Sequence, residues 1–519
     1  MLQALRANPN RRKVAATQFV PAPTLGWVAT NNIALGKPGT ANILENFFPK
    51  PDTVELRGGW AQHSDTTETV PVNTLMAWHG PSSSKLFGVS NDTIYDVTSS
   101  TASATSITTL TSSKCKYVNF TTSGGHFLFV VNGADTAKHY NGSAWATPSI
   151  TGETSDSFSN VNVYKQRLFF IVKNSLQFAY LPVQSIAGAA TTYELGDLFT
   201  MGGHLVAMGT LSIDGGVGPD DHAVFITSNG QVALFQGSNP SDANDWSLVG
   251  VFTMARPLGD RCMLQVGGDL YINTEIGVLP LSQALKVDSA ALASVVVTRN
   301  IAPEINLAAS RYKSNFGWQI IGYPKGTMAI INVPISEGVK QEQFVMNSQT
   351  GAWCKFTNQN AACWEVMDGD LYFGGNDGKV YQADSAASDG GASISGDMQT
   401  AYDPFGNAAQ LKAWKQIRPI IYAQGSVAPQ VGLNVDFVSS NPTGTISQAS
   451  SNNAQWGTMV WGSFTWAGGR TLSAKWRALT DKPGYVAAVR MRVLASGAGD
   501  PVLLQVNGFQ VAYENGGIM

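Results

Sequence analysis

Leu86-Phe87-Gly88-Val89-Ser90-Asn91-Asp92-Thr93-Ile94-Tyr95 is an apolar strand, a polar turn and a returning strand in ten residues. Aliphatic and aromatic side chains on both arms, with Asn-Asp between them, are the signature of a short β-hairpin. The same unit recurs along the chain. Leu128-Phe129-Val130-Val131 turns at Asn132-Gly133 towards His139-Tyr140, and Leu168-Phe169-Phe170-Ile171 turns near Asn174 and returns as Leu176-Gln177-Phe178. Val224-Phe225-Ile226-Thr227 turns at Asn229-Gly230 and returns as Val232-Ala233-Leu234-Phe235. Leu270-Tyr271-Ile272, Met328-Ala329-Ile330-Ile331 and Leu371-Tyr372-Phe373 begin three further copies, the middle one looser. The starts at 86, 128, 168, 224, 270, 328 and 371 are spaced by 42, 40, 56, 46, 58 and 43 residues. A hairpin in every unit of roughly 40–50 residues predicts a β-propeller with one four-stranded blade per unit. The repeat is degenerate, without WD or kelch signatures, and six or seven blades fit it.

Outside the repeat the pattern changes. Ala386-Ala387-Ser388-Asp389-Gly390-Gly391 reads as a linker. Beyond it, Ile417–Tyr422, Val431–Val438, Tyr485–Leu494 and Val502–Tyr513 are strand-like but off the blade period, which predicts a β-sandwich-like C-terminal domain. Pro21, Pro23, Pro38, Pro49 and Pro51 interrupt the first 60 residues, so these read as an extended N-terminal arm. The expected organisation is an arm over 1–60, a propeller over 61–385 and a sandwich over 386–519. Helical periodicity is confined to Ser282–Leu292 and the stretch from Asn407 to Trp414. The fold class is all-β.

Composition narrows the function. Only 13% of the 519 residues are charged, about half of the ~25% usual in soluble domains, and 53 glycines accompany abundant Ser, Thr and Asn. A neutral, hydroxyl-rich surface is cheap to desolvate and suits a subunit buried on several sides. A net charge of −3 excludes a generally basic nucleic-acid binder. Met1 to Thr17 carries Arg6, Arg11, Arg12 and Lys13 but no apolar core, so no secretory signal is expected, and no apolar run is long enough to span a membrane.

Catalytic chemistry finds few footholds. Cys115, Cys262, Cys354 and Cys363 form no CxxC pair and read as buried thiols rather than zinc ligands. His63, His79, His126, His139, His204 and His222 make no HExxH or paired ligand spacing. Gly374-Gly375-Asn376-Asp377-Gly378-Lys379 is one residue short of a phosphate loop, joins two strands, and reads as a hairpin turn. Asp220/Asp221 and Asp368/Asp370 are the candidate carboxylate pairs for calcium or glycosidase chemistry, with turn aspartates as the simpler reading. The basic run Arg6, Arg11, Arg12 and Lys13 is either a solvated tail or an arm that pins to an acidic neighbour or to nucleic acid. Trp456, Trp461, Phe464, Trp466 and Trp476 form either a sugar platform or an apolar interface. The reading assigns no catalytic, cofactor-binding or metal-ligating residue.

One segment carries a family likeness. Ala41-Asn42-Ile43-Leu44-Glu45-Asn46-Phe47-Phe48-Pro49, followed by Val54-Glu55-Leu56-Arg57-Gly58-Gly59-Trp60, resembles the opening of tail hub or nozzle proteins of short-tailed bacteriophages. Gly58 stands where some relatives have Pro. Trp414-Lys415-Gln416-Ile417-Arg418-Pro419 is also similar to that group. The resemblance implies a non-enzymatic structural protein of the virion, assembled in the host cytoplasm. Six copies would form a ring below portal and adaptor, contact tail fibres, and enclose a channel through which duplex DNA passes without sequence-specific binding. Two other classes compete: a carbohydrate-active propeller with Asp or His in its central pit, and a lectin-like binding module using the Trp-rich C-terminal region.

Overall fold

The computed structural model describes residues 15–29, 32–104, 107–214, 219–423, 427–443, 471–479, 483–497, 499 and 501–518. They divide into two compact units. One holds residues 58–351 and 355–390, the other residues 1–57, 352–354 and 391–519.

The first unit is a β-propeller. Every hairpin read from the sequence is the second strand of a blade and its return. Blade 1 is Val72–His79, Ser84–Ser90, Thr93–Asp96 and Ser103–Ala104, all antiparallel. Blades 2, 3 and 4 repeat that order over 116–146, 158–194 and 205–253, and blade 5 has three strands, Met263–Val266, Asp269–Thr274 and Gly277–Pro280. The last blade takes three strands from 361–386 and its fourth, Gly59–Asp65, from the N-terminal side, so the ring is closed by pairing Lys379 with Asp65 and Gln382 with Ala61. These are six small sheets in a ring. The last of the six is blade 6; between it and the fifth, Gln319–Tyr323, Met328–Ser336 and Lys340–Asn347 repeat the pattern outside these six sheets and supply a further inner strand.

Each blade is apolar on both faces because it is sandwiched by its neighbours, and the cores lie between blades. Tyr164, Phe169 and Phe178 of blade 3 pack on Phe225, Phe235 and Trp246 of blade 4, with Phe178 stacked on Phe225 at 4.5 Å between ring centroids. Such stacked aromatics add about 1 kcal/mol per pair beyond their buried area. Equivalent clusters join blades 1 and 2, 2 and 3, 4 and 5, and the last and the first. The turns need their glycines: at Gly230 φ is +83° and a Cβ would sit 2.4 Å from the Met254 carbonyl oxygen.

The second unit is two facing sheets. One orders Phe47–Pro49, Val54–Leu56, Leu504–Ile518, Gln410–Ala423 and Thr471–Ser473, with Ala16–Pro21 also on Leu504–Ile518. The other contains Ala41–Glu45, Ile394–Thr400, Ala487–Ala495 and Gln430–Val435. Gly396 of the second sheet lets Leu56 and Phe47 of the first approach so closely that a Cβ would lie 2.7 Å from each. The N-terminal strands are thus woven into sheets with C-terminal ones.

Three expectations are corrected. The helix over Ser282–Leu292 breaks into Leu281–Ala284 and a 3-10 turn, Ser289–Ser294, because Asp288 caps the second piece by accepting from Ala290 N at 2.9 Å. The 11-residue helix is Ala302–Tyr312 instead, with Pro303 in its first turn and Ile305, Ala308 and Ala309 buried at helical spacing. The stretch Asn407–Trp414 leads into a 14-residue strand, Gln410–Ala423, that buries alternate side chains around a bulge at Trp414/Gln416. The linker reading fails for Ser388–Gly390: Trp60 N donates to Ser388 O, Gly390 N donates to Trp60 O, and the Asp389 carboxylate is buried against Asn358 Nδ2 at 2.9 Å.

Candidate functional site

The first strand of each blade runs beside the propeller axis. Together with Gln319–Tyr323 these strands bring Thr74, Tyr117, Asn162, Met208, Arg261, Gln319 and Glu365 around an axial cavity of about 280 Å³. Most of the wall is neutral. The exceptions are Lys116, Asp260, Arg261 and Glu365, four charge-bearing side chains in one small space.

These side chains join blades that are not neighbours. Lys116 of blade 2 pairs with Asp260, at the entry to blade 5, at 2.7 Å. Arg261 reaches the opposite wall, where Nη2 donates to Asn73 O and Thr74 Oγ1, both at 2.9 Å, and more distantly to Cys115 O at 3.4 Å. Its guanidinium lies over the Phe316 ring at 5.4 Å. The Tyr117 hydroxyl of blade 2 donates to Glu365 of the last blade. The axis is therefore bridged.

Electrostatics follow from depth. Burial pulls the Lys116 ammonium down to about 8, partly offset by Asp260. Burial also works against the Asp260 charge, but Lys116 and Arg261 prevail and hold that carboxyl below the usual range. The Asp260 side chain keeps 43% of its surface accessible and is part of the cavity lining. Glu365 has no cation close enough to compensate its burial, which raises it to about 7 against the pull of the Tyr117 hydrogen bond and Arg261. Tyr117 is pushed well above its ordinary value by burial and by Glu365. The cavity thus contains one carboxylate kept ionised and one carboxyl that titrates near neutrality, a separation that acid–base sites also use.

None of the six histidines lines this cavity. His63 Nε2 lies 3.0 Å from Val97 O, and His139 is buried and made less basic by that burial. Asp221 pairs with Lys165 at 2.7 Å and accepts from Ser212 Oγ at 2.6 Å, while the Asp220 side chain lies outside the described residues. Asp368 accepts from Ser84 Oγ in a left-handed turn, and Asp370 pairs with Lys325 at 2.6 Å. The four cysteines are buried free thiols, with Cys115 and Cys262 raised by burial to about 12 and Cys363 to about 11. Asn376-Asp377-Gly378 is a hairpin turn between Asp370–Gly375 and Lys379–Ala386. The basic run Arg6, Arg11, Arg12 and Lys13 lies outside the described residues, as do Trp456, Trp461, Phe464 and Trp466. Trp476 is 38% exposed, with the Arg418 guanidinium 6.0 Å from its ring. Among the described residues there is no cluster of three or more His, Cys, Asp or Glu that would hold a metal ion, and no helix long and apolar enough to cross a membrane.

The axial set was missed by reading motifs in the hairpins. Its signal lay one strand earlier: Lys116 in Lys-Tyr-Val-Asn-Phe and Glu365 in Cys-Trp-Glu-Val-Met are single charges in otherwise neutral strands of a charge-poor chain.

No family model and no curated protein matches this chain. Solved structures do. The crystal structure of BBS1N in complex with ARL6DN is similar at TM-score 0.39 and 10% identity, over 63% of this chain and 97% of that one. The computationally designed Ika8 protein matches at 0.36 and 8%, over 66% and 96%. A glycoside hydrolase family 43 arabinoxylan arabinofuranohydrolase from Bacillus subtilis matches at 0.24 and 11%, over 87% and 96%. Likeness this remote bears on neither substrate nor partner.

Proposed function

We propose that this chain is a structural subunit of the tail nozzle or hub of a short-tailed bacteriophage, a virion protein without enzymatic activity. Six copies would ring the DNA channel below portal and adaptor, carry fibre contacts, and retain the genome until ejection. The reading is carried by the meeting of the two halves of the resembling motif. Asn46 is buried in a left-handed conformation (φ 57°), its Oδ1 accepts from Arg57 Nε at 2.8 Å, its carbonyl accepts from Arg57 N at 3.0 Å, and its Nδ2 donates to Ser395 O at 2.8 Å. The Asn-aromatic-Pro and Leu-Arg steps are thus one device that fixes the Phe47–Pro49/Val54–Leu56 hairpin. Gly59, just beyond it, begins the strand that closes the propeller. The composition agrees: a chain with 13% charged residues suits extensive subunit contacts, and a net charge of −3 offers no phosphate clamp to passing DNA.

Negative-stain electron microscopy of the purified protein, alone and mixed with a tail-adaptor ring, tests this reading. Six-fold rings with an open centre are expected in the mixture. Single compact particles under both conditions would remove the proposal's support.

A further inference from the structure

We infer that the axial cavity of the propeller binds one small neutral polyhydroxylated molecule, a monosaccharide or cyclic polyol, whose hydroxyls donate to the Asp260 carboxylate. The inference is independent of the tail assignment. It rests on which parts of the charged cluster the cavity can reach.

The cationic atoms are withdrawn. Lys116 Nζ and Arg261 Nη1 are both closed off from water, and Lys116 is held from behind by Asp260 at 2.7 Å. An anion entering the cavity would meet the exposed Asp260 carboxylate before either cation. A metal cation finds too few ligands, because the Asp260 charge is already balanced by Lys116 and Arg261 and no three-membered ligand cluster exists among the described residues. A wholly apolar guest would strip water from an ionised carboxylate and return nothing for it. A neutral hydroxyl donor avoids all three penalties, and hydrogen bonds from hydroxyls to an ionised carboxylate are about twice as strong as neutral ones. Glu365, raised by burial to about 7, adds a second carboxyl to the cavity lining. Met208, Met263 and Ile320 line the remainder and offer C–H surface to a ring. At about 280 Å³ the space equals on the order of nine water volumes, which fits one sugar ring and no more.

Met208 and Met263 report on the cavity directly. The full chain, labelled with ¹³C at methionine methyls and assigned through Met208→Leu and Met263→Leu, would be titrated with D-glucose, D-galactose, L-arabinose and myo-inositol, and separately with acetate and tetramethylammonium. The expected result is a saturable shift of these two methyls with at least one sugar or inositol, at a Kd in the low millimolar range or tighter (roughly −4 kcal/mol). The two ions should leave them unmoved. The double variant Lys116→Met/Asp260→Asn removes the carboxylate without stranding a buried lysine and should weaken binding roughly tenfold or more. If that variant does not fold, the wild-type titration alone decides. Shifts with acetate instead, shifts with sugars that spare Met208 and Met263, or no saturable shift with any of the four would each overturn the inference. Ring formation with the adaptor is read separately, so failure here leaves the nozzle proposal standing, and the reverse.

Discussion

Glu365 makes the propeller less stable as pH rises through neutrality. In the unfolded chain its carboxyl titrates near the ordinary value of 4.5, whereas burial in the folded protein raises it to about 7. Between those values the folded state holds a proton that the unfolded state has lost, so unfolding free energy falls with increasing pH. The stabilisation is complete below about pH 4.5 and gone above about pH 7, and a displacement of roughly 2.5 units corresponds to about 3 kcal/mol. For a propeller unit of roughly 330 residues that is about 4 °C in the unfolding midpoint. The substitution Glu365→Gln keeps an acceptor for the Tyr117 hydroxyl and abolishes the titration. Calorimetric midpoints are compared between wild type and variant from pH 4.5 to 7.5, below the Lys116 value of about 8, so that groups common to both chains, His139 among them, cancel in the difference. The variant should match wild type at pH 4.5 and exceed it by about 3 kcal/mol at pH 7.5. A constant offset across the range would refute the reasoning, because Glu365 would then be ionised or solvated in the folded state throughout.

Two further substitutions probe the scaffold. Asn332 is fully buried and uses its whole amide: Nδ2 donates to Gly317 O and Ala361 O, and Oδ1 accepts from Gln343 Nε2 and Trp364 Nε1. Asn332→Leu strips a partner from Trp364 and both carbonyls, while Gln343 keeps Gln359 O, so a loss of about 4 kcal/mol is expected in denaturant unfolding of the propeller; under 1 kcal/mol would show that water replaces the amide. Asn46→Ala and Asn46→Gly separate conformation from hydrogen bonding in the motif. Both lose the bond to Arg57, but only Ala also pays the left-handed backbone, so Gly should be the milder by about 1 kcal/mol in chemical denaturation.

The repeat was legible because hairpins are local. Leu86–Tyr95 and its six counterparts carry strand, turn and strand within about ten residues, and each proved to be the middle of a blade. Ring closure was not legible in the same way. Gly59–Asp65 pairs with Lys379–Ala386 across more than 300 residues, and nothing in the local pattern of either strand names the other. The same holds for Ala16–Pro21 on Leu504–Ile518, where a proline-interrupted segment that reads as an arm finds its partner at the far end of the chain. The two helical readings failed where a local signal was overridden. Asp288 is a better cap than a helix interior residue, and Gln410–Ala423 follows its neighbouring strand Leu504–Ile518 rather than the weak periodicity around Asn407. The axial charges lay in strands whose inward register becomes known only once the blades are placed around one axis.

That placement bears on any ring the chain would form. The Lys116–Asp260 pair and the Arg261 bonds to Asn73 and Thr74 tie blade 5 to blades 2 and 1, and Tyr117–Glu365 ties blade 2 to the last blade. Lys116 Nζ and Arg261 Nη1 are closed off from water, so parting these links would leave cationic groups without their present partners. A cavity of about 280 Å³ crossed in this way admits no duplex, whose major groove alone is about 12 Å wide. If DNA passes this protein, it passes between copies, along the outer surfaces of propellers whose axes stay closed. The residues that face a channel must then be sought on blade edges and the loops between strands. The axis is left free for a separate task, which is why the small-ligand site and the nozzle role do not compete for the same surface.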